Sequence, residues 1–272
     1  MNLSDLFPDE DYRPQMRFER GSVAGFFAPT EHHAELISQR CHWLQTAPQI
    51  HAALLPEGIP LLDETIEMAG AWTTNGALAR LREVQSPLER CLALGEILEP
   101  DFLLLKPQAD GRFHLLAGCV CFPSSWSLAE KIGRPLEFIH GVVPGLNAQL
   151  GNQLHGFLSK LKPDIAWQRS NWGLGRSAEL NQHPERALSL LDASVRLEEV
   201  WLRVEHQALV ALPQNQGILF GIRIAIHPLA ELKKDSTVAE RLSRALQTMP
   251  EEMARYKNLS AARSTLIAFL QS

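Results

Sequence analysis

The sequence predicts an α+β fold in one domain, residues 1–272, with a central antiparallel sheet wrapped by N- and C-terminal helices. Three observations carry this. Residues 1–100 read mainly helical. From about residue 101 to 228 the apolar spacing changes to alternation, with turn residues between the runs. Residues 229–272 return to helical spacing, so sheet and helices are segregated along the chain rather than interleaved.

Taken in order, Pro29-Thr30-Glu31 opens a helix whose Leu36, Ile37, Arg40, Cys41 and Leu44 fall near helical spacing, ending before Pro48. Residues 57–78 read as a loop followed by helix. Ser86-Pro87-Leu88-Glu89 is a helix start: serine accepts an orphan N–H, proline has none to lose, and glutamate reaches back. Its expected apolar stripe is Leu88, Cys91, Leu92 and Leu98. Apolar runs at 102–105 and 113–122, separated by Ala109-Asp110-Gly111, predict a hairpin. Ser127-Leu128-Ala129-Glu130 is a second capping box, with Gly133 and Pro135 ending that helix. Another helix is expected after Pro144-Gly145, with Leu146, Leu150, Leu154, Phe157, Leu158 and Leu161 on one face.

Residues 198–212 and 217–227 alternate most cleanly and predict paired strands, joined by Pro213-Gln214-Asn215-Gln216-Gly217. Their period-2 pattern sets Arg203 and Arg223 opposite the aliphatic face of each strand. Thr237-Val238-Ala239-Glu240 starts a further helix, and the closing segment with Met253, Tyr256, Leu259, Leu266, Phe269 and Leu270 is amphipathic.

Composition excludes several function classes. A formal charge of −5 with no basic run argues against nucleic-acid binding. No stretch approaches the roughly 20 apolar residues that span a bilayer, and the acidic N-terminus lacks a signal-peptide pattern. Cys41, Cys91, Cys119 and Cys121 are too scattered for a disulfide framework, so a reduced, cytoplasmic protein is expected. Cys119 and Cys121, alternating on a strand, should face opposite sides.

Motifs for hydrolysis and nucleotide binding are absent: no Gly-rich phosphate loop, Gly-x-Ser-x-Gly elbow, Cys-x-x-Cys pair or His-x-x-x-His zinc pair. His32, His33, His42, His51, His114, His155 and His183 read as solvent-facing. His140 differs, because Phe138-Ile139 and Val142-Val143 place its ring in an apolar wall. Desolvation there favours the neutral imidazole that metals and haem iron require. A satisfied core or turn histidine is the competing reading, and local spacing does not decide between them. Arg203 and Arg223, with Arg169 ahead of Ser170-Asn171-Trp172, could offer guanidinium forks to carboxylates. The alternative is that Arg203 and Glu205 pair with each other on an exposed sheet face.

Three ordered motifs resemble one family. The first runs Phe122-Pro123-Ser124-Ser125-Trp126, Glu130-Lys131-Ile132-Gly133-Arg134-Pro135-Leu136, Ile139-His140 and Val143-Pro144-Gly145. The second is Arg169-Ser170-Asn171-Trp172-Gly173. The third is Trp201-Leu202-Arg203-Val204-Glu205, Gln207-Ala208-Leu209, Leu212-Pro213 and Ile218-Leu219-Phe220 with Ile222-Arg223. Together, over roughly residues 100 to 230, they are similar to the haem-dependent oxidative N-demethylases, alpha-subunit-like. This chain departs from the family's usual Arg-Gln at His206-Gln207.

The resemblance implies a PAS-like sheet core and haem b as cofactor, with His140 as the iron ligand. Arg169, Arg203 and Arg223 would anchor propionates, Trp172 would line the cofactor pocket, and Glu205 is the catalytic candidate for proton delivery. It further implies oxidation of an N-methyl group of a small amine by dioxygen, releasing formaldehyde. Electrons would come from NADPH through a separate flavin and iron–sulfur reductase subunit. The alternatives are a PAS-like haem or small-ligand sensor without turnover, and a cofactor-free interaction module.

Overall fold

A computed structural model describes residues 3–14, 17–73, 78, 81, 83–146 and 154–272. Among them seven strands form one sheet: β1 (Glu19–Ser22), β2 (Ala52–Leu54), β3 (Asp101–Pro107), β4 (Phe113–Cys119), β5 (Ile165–Gly175), β6 (Trp201–Leu212) and β7 (Gly217–Pro228). Their order is β1-β5-β6-β7-β3-β4-β2, and every neighbouring pair is antiparallel. The fold is mixed helix and sheet, but the sheet is not confined to the middle of the chain: β1 and β2, its two edge strands, come from the N-terminal region that reads as helical.

The helices that matter for packing are α1 (His33–Thr46), α2 (Ile59–Ala69), α3 (Pro87–Gly95), α4 (Leu136–His140), α5 (Ser236–Thr248), α6 (Glu251–Tyr256) and α7 (Arg263–Gln271). The β6–β7 hairpin is the longest ladder, running from Trp201↔Pro228 to Leu212↔Gly217. The hairpin of β3 and β4 also forms as expected, with Gly111 at φ +75° in its turn. Ser86 caps α3 by accepting from the Glu89 N–H. Its buried stripe is Cys91 and Leu94, whereas Leu88 is exposed.

The two faces of the sheet have different partners. On β6 the even residues divide along the strand. Ala208, Val210 and Leu212 pack in a core with Leu44, Leu61, Leu62 and Leu94 of α1, α2 and α3. Leu202 and Val204, with Val200 just before the strand, pack with Leu242, Leu246, Met253, Leu266 and Leu270 of α5, α6 and α7. Both terminal helical layers therefore share one face. The odd residue Leu209 lies on the other face with Leu103, Leu105, Leu115 and Ile222, against Leu136 and Ile139 of α4 and Phe157. Burial of these apolar surfaces is the main force that fixes the strand register.

Several expectations need correction. Residues 127–134 form turns rather than a helix, because the backbone is pulled onto the sheet: Gly133 N–H donates to Leu115 O at 2.7 Å, with φ +76°. The cap of α5 is Asp235, whose carboxylate accepts from Thr237 and Val238 N–H, so the expected box at Thr237 lies inside the helix. The helix expected after Gly145 is described only in part, with 154–158 helical and 147–153 outside the described residues. Strand β5 has no clear alternation in sequence, since Arg169 and Asn171 fall where a two-sided strand would place apolar side chains. Arg203 and Arg223 lie on opposite faces: Arg203 is across from Ile226, and Arg223 is across from His206. The aliphatic face of β7 is therefore the Arg203 face of β6, a matter of register that each strand's pattern alone leaves open.

Cys119 ends β4, so the strand alternation does not extend to Cys121, and both thiols meet the Arg40 guanidinium and each other. All four cysteines are free thiols. His51 and His183, expected at the surface, are 2% and 5% exposed. No helix among the described residues is long and apolar enough to cross a membrane.

Candidate functional site

A cavity of about 1310 Å³ opens on the face of the sheet away from the terminal helices. It continues around the free edge of β5, because β1 pairs only as far as Gln168 and leaves residues 169–175 bonded to β6 alone. Pockets of about 300–1,000 Å³ enclose drug-sized ligands, so this one has room for a larger guest. Its floor is apolar, with Leu103, Leu105, Leu115, Phe220 and Ile222 from the sheet. Leu136, Ile139 and His140 of α4 form the opposite wall.

α4 is a short helix that starts after Pro135 and closes at Gly141. His140 is its last residue, and its carbonyl accepts from Val143 N–H at 2.9 Å, fixing the turn that aims the ring. Burial, with Arg169 and Lys131 adding to it, pushes the His140 imidazolium down to about 4. The ring is therefore neutral at pH 7. Neither ring nitrogen has a hydrogen-bond partner among the described residues. Most other histidines are engaged: His33 with Glu99, His51 with Val120 O, His114 with Gly133 O, His155 with Gly111 O, and His206 with Ser170. A satisfied structural histidine would show such a partner. His140 lines the cavity without such a partner among the described residues.

Arg169, Asn171, Arg203, Glu205 and Gln207 share this face, because Arg169 is across from Gln207 and Asn171 from Glu205. Side chains from these strands form one hydrogen-bonded chain. Arg203 Nε donates to Ser124 Oγ at 2.7 Å, and Ser124 Oγ donates to Glu205 Oε1 at 2.5 Å. Gln207 Nε2 donates to Glu205 Oε2 at 2.9 Å and accepts from Arg169 Nε at 2.7 Å through Oε1. Arg203 and Glu205 are thus not an exposed ion pair; Ser124 stands between them in a partly buried network.

The arginines divide in role. Arg203 also donates to Phe122 O at 2.6 Å, so its fork holds the Phe122-Pro123-Ser124 backbone, and burial pushes its guanidinium down to about 10. Arg223, on the other face, donates to Phe26 O and Ala28 O and pairs with Glu99, tying the N-terminal segment to the sheet. The Arg169 guanidinium lies 5.8 Å from the Phe18 ring centroid and bonds the protein through Nε, leaving both terminal nitrogens without a hydrogen-bond partner among the described residues. Trp172 lies on the other face, against Phe7 and Tyr12, and reaches the cavity around the β5 edge.

Residues that sequence reasoning missed complete the site. Lys257, just after α6, points its ammonium 5.2 Å from the Trp172 ring and donates to Trp172 O at 2.6 Å. Lys131 sits 4.3 Å over the Trp126 ring. Both line the cavity, and neither makes a salt bridge among the described residues. Lys131 stands within a quoted motif, but Lys257 lies far along the chain, and only folding brings it to the site.

Burial, opposed by Glu205 and reinforced by Arg169, pushes the Lys257 ammonium down to about 8. Between pH 8 and the ordinary value near 10.5 the unfolded chain then holds more proton than the folded one, so this group adds stability as pH rises. Urea unfolding of wild type and Lys257→Met at pH 7.5 and 10 checks this: wild type should gain on the variant at the higher pH. A difference that stays flat would mean a solvated amine.

Among the described residues no group of three or more His, Cys, Asp or Glu side chains could hold a metal ion. A tetrapyrrole needs from the protein one neutral axial ring, an apolar slot and cations for its carboxylates. His140, the leucine floor, and Arg169 with Lys131 and Lys257 meet those needs. Residues 62–267, well over half of the chain, match the family model described as haem-dependent oxidative N-demethylase, alpha subunit-like. The chain belongs to this family.

Proposed function

We propose that this family member is a cytoplasmic, haem-dependent oxidative N-demethylase subunit, with a PAS-like use of its sheet to enclose haem b. His140 would be the residue that holds the haem iron. The observation that carries the proposal is a neutral, unpartnered imidazole aimed into a large apolar cavity whose cations lack carboxylate partners. Arg169 and Lys257 hold donors for the propionates, Arg203 positions the Phe122–Ser124 backbone, and Trp172 closes the cavity at the β5 edge. Bound haem supplies the iron at which dioxygen oxidises the N-methyl group of a small amine, releasing formaldehyde, with electrons from NADPH through a separate flavin and iron–sulfur reductase.

The chain's own groups do the rest. The leucine floor excludes water, which strengthens each charge interaction inside. Glu205 is held by two donors at fixed oxygens and carries a proton to or from the reacting end of the cavity. The test is a visible spectrum of the purified protein before and after haemin, followed by formaldehyde assay with dimethylamine and an electron donor. A Soret band with formaldehyde release is expected. A Soret band without turnover would favour a sensor, and no band at stoichiometric haemin would sink the cofactor assignment.

A further inference from the structure

Glu205 is held from two directions. Ser124 Oγ donates to Oε1 at 2.5 Å from the loop before α4, and Gln207 Nε2 donates to Oε2 at 2.9 Å from the same strand. The first holder leads to Arg203, which is spent on Ser124 Oγ and Phe122 O. The second leads to Arg169, whose Nε donates to Gln207 Oε1 at 2.7 Å and whose terminal nitrogens have no hydrogen-bond partner among the described residues. Register builds this bridge. Gln207 is directly across from Arg169 on β5 and two residues along β6 from Glu205, so the three side chains stand in a row on one face. Gln207 is 7% exposed, and its amide is satisfied in one orientation only. A guanidinium N–H only donates and an ionised carboxyl only accepts, so a flipped amide would set donor against donor and oxygen against oxygen.

Resting on the haem reading above, we infer that Gln207 is a positioning residue that ties the proton carrier Glu205 to the occupied cofactor site through Arg169. By taking Arg169 Nε it leaves the two terminal nitrogens as the end that a propionate engages. A propionate there fixes the guanidinium plane, and with it the amide oxygen. The rigid amide passes that constraint to Nε2 and so to Glu205 Oε2. The carboxyl is then aimed in one direction once the cofactor is seated. Other side chains fail at this position for stated reasons. Leucine makes neither bond, and glutamate would set a second carboxylate against Glu205.

The experiment has a haem-free and a haem-loaded arm. In haem-free protein with isotope-labelled glutamine, the Gln207 side-chain amide is identified by its absence in Gln207→Leu. Its resonance should shift in both Arg169→Met and Glu205→Gln; a resonance that either substitution leaves in place overturns the inference. With haemin, Gln207→Leu should weaken binding, though less than Arg169→Met, which loses the fork itself. Unchanged haemin affinity in Gln207→Leu cuts the link to the cofactor and also overturns it. In loaded protein Gln207→Leu should lower kcat for formaldehyde release from dimethylamine about tenfold or more, with KM little changed. The same substitution in a Glu205→Gln background should add almost nothing, since its effect runs through Glu205. A merely structural glutamine would cost the same in both backgrounds, and that result counts against the inference. Absence of a Soret band sinks the haem assignment and with it the propionate end, while the amide resonances still decide the hold on Glu205.

Discussion

His140→Ala should lower haemin affinity by about tenfold or more and shift the Soret band of whatever haem remains. The variant removes a cavity-lining imidazole that has no hydrogen-bond partner among the described residues, while leaving the apolar floor and the cations in place. Hydrophobic enclosure and propionate contacts would still retain some cofactor, so the spectrum is the sharper readout than occupancy. The backbone around α4 is fixed by Pro135, by Gly141 and by the Val143 N–H to His140 O bond, none of which needs the ring. Folding should therefore survive, and circular dichroism would check it. Added imidazole fits the space that the alanine leaves and should restore the wild-type band. His155→Ala is the control, since that exposed ring is held by Gly111 O outside any coordination role. Full haem occupancy with an unchanged spectrum in His140→Ala would remove His140 from the site.

The sequence allowed the hairpins, the terminal helices and His140 to be read, because each rests on local signals: period, caps and Pro–Gly punctuation. It did not yield the side of the sheet on which each strand's side chains stand. Arg203 and Arg223 look equivalent in sequence, yet register sends one to the motif backbone and the other to Glu99. β5 was hidden because a strand lining a polar cavity mixes arginine, serine and asparagine with tryptophan and has no clean alternation. Lys257 carried no signal at all. It gains meaning only from packing against Trp172, a residue 85 positions away. That His140 has no hydrogen-bond partner among the described residues is likewise something no local pattern displays.

Arg40→Met should cost about 3–5 kcal/mol in folding stability, the loss expected when one member of a buried ion pair is removed. Arg40 and Asp101 are 0% and 1% exposed. Arg40 Nη1 donates to Asp101 Oδ1 at 2.5 Å, and Nε donates to Gly95 O at 2.7 Å, locking α1 to the end of α3. Burial alone would pull the Arg40 guanidinium down, but Cys121 and Asp101 hold it above its ordinary range. Asp101 in turn accepts from Cys121 N–H at 2.7 Å and Phe122 N–H at 3.0 Å. The pair therefore clamps the residues that lead into Pro123-Ser124, the stretch Arg203 grips from the other side. With Met at 40, Asp101 keeps two backbone donors but loses its countercharge, so the penalty is an unpaired buried carboxylate rather than a lost contact. Arg40→Met with Asp101→Asn removes both charges and should recover part of the loss, a positive coupling that a double-mutant cycle in urea measures directly. The single variant should also bind haemin less well, because Ser124 and the loop before α4 hang from this clamp. A cost under about 1 kcal/mol with no coupling would show that the pair is solvated and that the motif is held by Arg203 alone.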